Sequence, residues 1–268
     1  SETFGEIERQ IRRMIDDGHR VEFHLHPHWI DAIPGNVPST FLFPDYSHYK
    51  IGDLSDAQLS NHFNDALDVL ASIVCKGDRT YTLRAFRAGG FCVEPFSRIC
   101  ELLISADIRI DSSVACGVKL KSSGHAVDFS SCTNDAVYRF DESPLRPANE
   151  GRFAEIPITT RTIAVSEKIF NKIDRTVHKS PVYGDGSGMP LSIGLAEKFS
   201  PGKLMLSFDN SQRCASYIRK AKKEFIGMIS HPKSISERSL REMEILLASE
   251  CNFITTKDIY DRMSAKWQ

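Results

Sequence analysis

Apolar and polar positions along this chain follow two periods, one near 3.6 residues and one of two. Ile7, Ile11, Met14 and Ile15 recur at helical spacing and predict an amphipathic helix that Gly18 stops. Val21–Leu25 alternates and predicts a short strand. Residues 30 to 54 carry three prolines and two glycines and read as a long loop at that strand's exit. Ser55-Asp56-Ala57-Gln58 is a capping-box pattern, opening a helix that buries Leu59, Phe63, Leu67, Leu70 and Val74. A strand near Tyr81–Phe86 follows, then a helix with Phe96, Ile99 and Leu103 on one face, then Ile108–Ile110 leading to Asp111.

Further on, strands are expected at 153–158, 204–208, 226–230 and 252–255. Helices are expected at 166–177, at 212–225, around Leu240, Met243 and Leu247, and at the C-terminus. Strand and helix alternate over the whole length, and no Asn-Gly hairpin signal joins two strands. That pattern predicts a parallel α/β architecture in one domain spanning residues 1–268.

Composition narrows the class. Of 268 residues, 41% are hydrophobic and 26% charged, with a net charge of −1. That balance gives no electrostatic footprint for nucleic acid, and no apolar run reaches the length of a membrane span. Seven widely spaced cysteines without a C-x-x-C predict reduced, buried thiols and a cytoplasmic location.

The candidate chemistry sits at His24-Leu25-His26-Pro27-His28-Trp29. Three imidazoles in five residues at a strand end are hard to explain as packing, and they point to a metal or catalytic site. Fully extended, His24 and His28 would lie roughly 13 Å apart at about 3.3 Å per residue, too far to share a metal. Pro27 cannot donate a ladder hydrogen bond, so the strand ends by His26, and a helical turn begun at Pro27 would let His24 and His28 converge. His24, His28, Arg87, Asp111, Asp209 and His231 all fall just after predicted strands, the edge that carries the site in an α/β barrel. As ordinary structure, Arg87 beside two glycines would cap a tight turn, and Asp111 before Ser112 would be a helix N-cap. Gly184-Asp185-Gly186-Ser187-Gly188 lacks the Lys-Ser/Thr ending of a phosphate-binding loop, so no nucleotide role is assigned to it.

Four segments carry a family resemblance. Gly18-His19-Arg20-Val21-Glu22-Phe23-His24 through His28, Phe86-Arg87-Ala88-Gly89-Gly90-Phe91, Ile108 to Ser113 and Ile229-Ser230-His231-Pro232 resemble, in order, motifs of NodB-type polysaccharide deacetylases of the exopolysaccharide-associated branch. The resemblance implies a distorted (β/α) barrel and metal-dependent hydrolysis of N-acetyl groups on a polysaccharide or glycan intermediate. It assigns a divalent metal, zinc, to His24 and His28, and the general-acid role to His231. Arg87 would orient the base, and Asp111, or else Asp209, would hold His231 in its tautomer. The family's first motif, a strand ending in Asp-Asp, is not found in the 23 residues before His24, where Asp16-Asp17 close the first helix. The expectation is therefore that the first strands are missing from this sequence, leaving an open edge beside Val21–Leu25. An H-x-H at a strand end also opens amidohydrolases and phosphoesterases, with His24 and His26 as the paired ligands. A non-catalytic carbohydrate-binding relative is the alternative from another class.

Overall fold

A computed structural model describes residues 2–37, 40–76, 78–121, 126–133, 136–162, 203–208, 214–221 and 223–265. The expected helix at 166–177, the glycine loop at 184–188 and Asp209 lie outside those residues. The chain forms two compact units. The first comprises Ser1–Ser113, Tyr138–Glu155 and Ile254–Gln268; the second comprises Val114–Val137 and Ile156–Phe253.

In chain order the first unit holds helix α1 (Glu2–Asp16), strand β1 (Phe23–Leu25), the short pair β2 (Ile33–Pro34) and β3 (Phe41–Leu42), helix α2 (Asp56–Val74), β4 (Ala85–Ala88), helix α3 (Cys100–Ser105) and β5 (Ile110–Asp111). The second unit contributes β6 (Lys119–Lys121) and β7 (Ala126–Asp128), after which β8 (Tyr138–Phe140) and β9 (Phe153–Glu155) return to the first. The second unit continues with β10 (Thr160–Thr162), β11 (Lys203–Met205), α4 (Cys214–Lys220) and α5 (Glu237–Leu247). Helix α6 (Thr256–Ser264) closes the first unit.

The first unit is built on a five-stranded sheet of order β1-β4-β5-β9-β8. The first four strands are parallel, and β8 adds antiparallel to β9. This is a mixed α/β architecture around a parallel core, with β1 at one end of the described strand order. Within β1, Phe23 and Leu25 are 3% exposed and face the core, whereas His24 between them is exposed. Phe23 packs edge-on against Phe63 of α2, with ring centroids 5.1 Å apart, and against Phe86 of β4 at 5.9 Å. Each such buried aromatic contributes on the order of 1.5–3 kcal/mol. Glu22, just before β1, ties neighbouring segments together: its carboxylate accepts the Arg84 and Ala85 amides at 2.8 and 3.0 Å and the Thr256 hydroxyl at 2.7 Å.

Helix α2 follows its sequence pattern closely. Ser55 Oγ accepts the Gln58 amide, the Gln58 side chain accepts the Ser55 amide, and Leu59, Phe63 and Val74 are buried. In α1, Ile11 and Ile15 pack on the core, while Ile7 and Met14 stay exposed.

Several elements depart from expectation. The loop at 30–54 contains the β2–β3 ladder, and β6–β7 is a second antiparallel pair; neither is announced by an Asn-Gly turn. In the second unit β10 pairs antiparallel with β11. The segment 226–230 forms no regular strand. The Gly227 carbonyl accepts the Thr159 amide, but the Gly227 amide goes to the Thr159 hydroxyl at 3.0 Å, so a side chain interrupts the ladder. No strand forms at 252–255 either, because Thr255 serves as the N-cap of α6. Helix α5 buries Leu246, with Leu240 and Leu247 exposed.

Candidate active site

The alternation that turns Phe23 and Leu25 inward turns His24 outward, and the chain keeps that sense for one more residue. His24 Nε2 lies 2.9 Å from His26 Nε2, with ring centroids 4.5 Å apart. On its other side, His24 Nδ1 is 2.9 Å from the Arg87 carbonyl oxygen, a contact set by the β1–β4 register that places His24 beside Arg87. A carbonyl only accepts, so Nδ1 carries the proton and the His24 Nε2 lone pair faces His26, which donates to it in the metal-free form.

Pro27 opens a turn over Pro27–Asp31, as the sequence predicts. That turn does not bring His28 into the pair. The expectation that His24 and His28 converge with His26 pointing elsewhere is corrected: the imidazole brought against His24 is that of His26. His28 instead enters an aromatic cluster. Its ring stacks on Tyr49 at 5.4 Å and 15°, and Phe43, Tyr46 and Trp29 lie within 5.2 to 6.3 Å. Burial lowers the basicity of His28, opposed by the Asp31 carboxylate, and its Nδ1 has no hydrogen-bond partner among the described residues. His28 is thus held within a packed group of rings.

The rings form a continuous row. His26 lies 5.2 Å from His28, His28 5.2 Å from Phe43, Phe43 5.2 Å from Trp29, and Trp29 5.1 Å from Phe41. The row ends in solvent, since Trp29 and Phe41 are each 47% exposed.

The Arg-Ala-Gly-Gly segment has a steric reason. A Cβ on Gly89 would stand 2.6 Å from His26 Nδ1 and 2.8 Å from the Leu25 carbonyl, so only glycine lets that imidazole seat here. Gly90 has a φ of +59°, a conformation glycine adopts freely.

Arg87 lies inside β4, and its side chain does more than cap a turn. Nε donates to the Ser112 carbonyl at 2.8 Å, and Nη2 donates to the Ser112 hydroxyl at 2.9 Å. Burial pulls the guanidinium below its usual range, and the charges of Asp111 and Glu155 oppose that pull. Asp111 is fully buried at the end of β5. It accepts the Ser113 hydroxyl at 2.8 Å and the Ser113 amide at 3.2 Å, and it stands in register with the equally buried Glu155 of β9. Desolvation raises the Asp111 pKa, against those hydrogen bonds and Arg87. Asp111 lies in the first unit and His231 in the second, and the expected role of Asp111 in orienting His231 rests on the resemblance. Glu155, fully buried and paired in register with Asp111, is the functional candidate that sequence reading missed.

His231 belongs to the second unit, where it is exposed and its carbonyl accepts the Ser234 amide at 2.8 Å as a short turn over Pro232–Ser234 begins. The seven cysteines are free thiols, and no helix among the described residues is long and apolar enough to cross a membrane.

As a donor set, the His24–His26 pair suits one metal. Two Nε2 atoms 2.9 Å apart stand at hydrogen-bond distance, and a tetrahedral zinc with bonds of about 2.0–2.1 Å would set them about 3.3–3.4 Å apart, so the pair would open by about 0.4 Å to share one. A carbonyl on the far nitrogen is the usual device for orienting a ligating imidazole. No group of three His, Cys, Asp or Glu side chains that could hold an ion occurs among the described residues. Comparisons with protein-family models, with curated proteins and with solved structures find no match, and the functional reading rests on the motifs and on this geometry.

Proposed function

We propose that this chain is the catalytic part of a metal-dependent hydrolase that removes N-acetyl groups from a polysaccharide or glycan intermediate. Its metal, a divalent ion such as zinc, is held in part by His24 and His26. The observation that carries the metal is the imidazole pair itself, with facing Nε2 atoms and His24 Nδ1 on a backbone carbonyl, while the choice of deacetylation is carried by the four ordered motifs, because the His24–His26 pairing is the one expected of the alternative hydrolases. Such a metal polarises an acetyl carbonyl and makes hydroxide available near neutral pH.

Two further features support it. The parallel strands follow one another across the sheet in chain order, β1, β4, β5, β9, which is the winding of a (β/α) barrel sector. The exposed Trp29 and Phe41 rings extend from the imidazoles and offer flat apolar faces to sugar rings. Within this reading, His24 and His26 bind, Arg87 fixes the His24 ring through its carbonyl, and the aromatic row orients substrate. The general-acid role of His231, protonating the departing amine, is carried by its sequence motif alone.

The same pair favours a second reading, a metal-dependent phosphoesterase or other amidohydrolase that uses an H-x-H at a strand end. Purified protein assayed on N-acetylated oligosaccharides and on phosphomonoesters, with and without chelator, separates the two. Chelator-sensitive acetate release supports deacetylation, and chelator-sensitive phosphate release alone replaces it with the second reading. Acetate release that survives chelation removes the metal from the mechanism.

A further inference from the structure

Two short antiparallel ribbons in this chain differ in kind. In β6–β7, Lys119 pairs with Asp128 and Leu120 with Val127, so one face carries an ion pair and the other carries the buried Leu120. That is the ordinary division of a ribbon that packs on one side and meets water on the other. The β2–β3 ribbon has no such division. Ile33 pairs with Leu42 and Pro34 with Phe41, on opposite faces, and all four side chains are exposed. The exposures are 50% for Ile33, 60% for Leu42 and 47% for Phe41, and Val37 in the connecting turn reaches 62%. The Gly35 amide donates to the Thr40 carbonyl at 2.8 Å and the Thr40 amide to the Val37 carbonyl at 3.1 Å, so the ribbon is hydrogen-bonded into its turn.

The surrounding sequence is as apolar as the ribbon. No residue between Asp31 and Asp45 is charged, and no lysine or arginine lies between Arg20 and Lys50. Trp29 and Ile30, both exposed, precede the ribbon, and the Trp29 ring lies 5.1 Å from that of Phe41. Together these side chains present on the order of 600 Å² of apolar surface, the upper end for a soluble monomer, where such patches are often functional.

The two-faced shape selects what covers it. A flat protein surface, a second copy included, covers one face of a ribbon and leaves the other in water. A stable interface also takes about 800 Å² from each partner, more than both faces offer together. Sugar rings stack on aromatic faces, which Trp29 and Phe41 supply and Ile33, Val37 and Leu42 do not. A lipid surface surrounds what enters it, takes aliphatic side chains among its acyl chains and holds tryptophan at its head groups.

We propose that the β2–β3 ribbon is a lipid-docking finger: Ile33, Val37 and Leu42 enter the outer acyl region of a bilayer, and Trp29 and Phe41 stay at its head groups. The inference goes beyond the hydrolase reading and needs neither the metal nor deacetylation. With no basic side chain in the segment, the docking is apolar and does not depend on anionic lipid.

The experiment sediments the full chain with phosphatidylcholine vesicles, with and without added phosphatidylserine, at low and high salt. It compares wild type with Ile33→Asn, Leu42→Asn, the double variant and Leu42→Phe. All replace exposed side chains, so all should unfold near the wild-type temperature. Wild type and Leu42→Phe should bind phosphatidylcholine alone, no better with phosphatidylserine and no worse at high salt. Each asparagine should lower partitioning about 5- to 10-fold, the worth of returning a half-exposed aliphatic side chain to water. The double variant should stay in the supernatant. In a Trp267→Phe background, which leaves Trp29 as the single tryptophan, emission should shift to the blue on adding vesicles.

Wild type that ignores phosphatidylcholine vesicles, binding that requires phosphatidylserine or fades with salt, or a double variant that binds like wild type would overturn the proposal. So would a dimer that the double variant abolishes while vesicles leave the protein unbound, a result that assigns the finger to a second copy. If the double variant does not fold, the two single variants and the Trp29 shift decide.

Discussion

Gly89→Ala is the smallest change that addresses the site's geometry. The added methyl would stand 2.6 Å from His26 Nδ1, 2.8 Å from its Cγ and 2.8 Å from the Leu25 carbonyl oxygen. Carbon atoms settle about 3.5–4.0 Å from such neighbours, so the imidazole must retreat by about 1 Å. Overpacking of this kind costs about 1–3 kcal/mol of stability. The more specific effect falls on the pair: a His26 ring displaced by that much no longer faces His24 Nε2 at 2.9 Å. Zinc affinity, measured by competition with a chromophoric chelator, should fall about 10- to 100-fold, as it does when a ligand's support is lost. Gly90→Ala is the matched control. Its methyl meets the Tyr49 hydroxyl at 2.5 Å and leaves His26 alone, so it should destabilise while zinc binding stays near wild type. Gly89→Ala protein that folds and binds zinc as tightly as wild type would refute the reasoning.

Other outcomes follow from the same geometry. His28→Ala should cost about 2–4 kcal/mol in urea unfolding by opening a cavity among Tyr49, Phe43 and Tyr46, and should leave metal binding in place. Trp29→Ala, at an exposed ring, should change stability by only about 0.5 kcal/mol while raising KM for long glycans more than for short ones. Burial pushes the Cys92 thiol up to about 12, so at pH 8 only about one molecule in 10⁴ carries its thiolate. Native protein should therefore leave Cys92 unmodified by iodoacetamide, whereas urea-unfolded protein reacts; mass spectrometry reads the site. His231→Ala should lower turnover about 10²- to 10⁴-fold with bound metal unchanged, the signature of a lost general acid.

Much of this was written locally in the chain. The capping box of α2 and its i, i+4 apolar residues need only near neighbours to act, so Ser55, Leu59 and Phe63 stand as the pattern places them. The place of the histidine cluster at the end of β1 was legible for the same reason. Its pairing was misjudged because two periods compete there. The four-residue spacing of a turn favours His24 with His28, while the two-residue spacing of the strand favours His24 with His26. The strand's sense persists through His26, and the turn at Pro27 hands His28 to the aromatic cluster. Glu155 was invisible for a different reason. Within Phe153–Ile158 it looks like one polar residue in a strand, and only the register with Asp111, 44 positions earlier, marks it out. The irregular backbone at 226–230 likewise depends on the distant Thr159 hydroxyl, which no local pattern signals.

The most direct test of the central claim is the zinc affinity of three single variants, His24→Ala, His26→Ala and His28→Ala, against wild type in one competition titration. The account predicts tight binding by wild type and by His28→Ala, and its loss in both His24→Ala and His26→Ala. Retention of zinc by His26→Ala together with its loss in His28→Ala would contradict it.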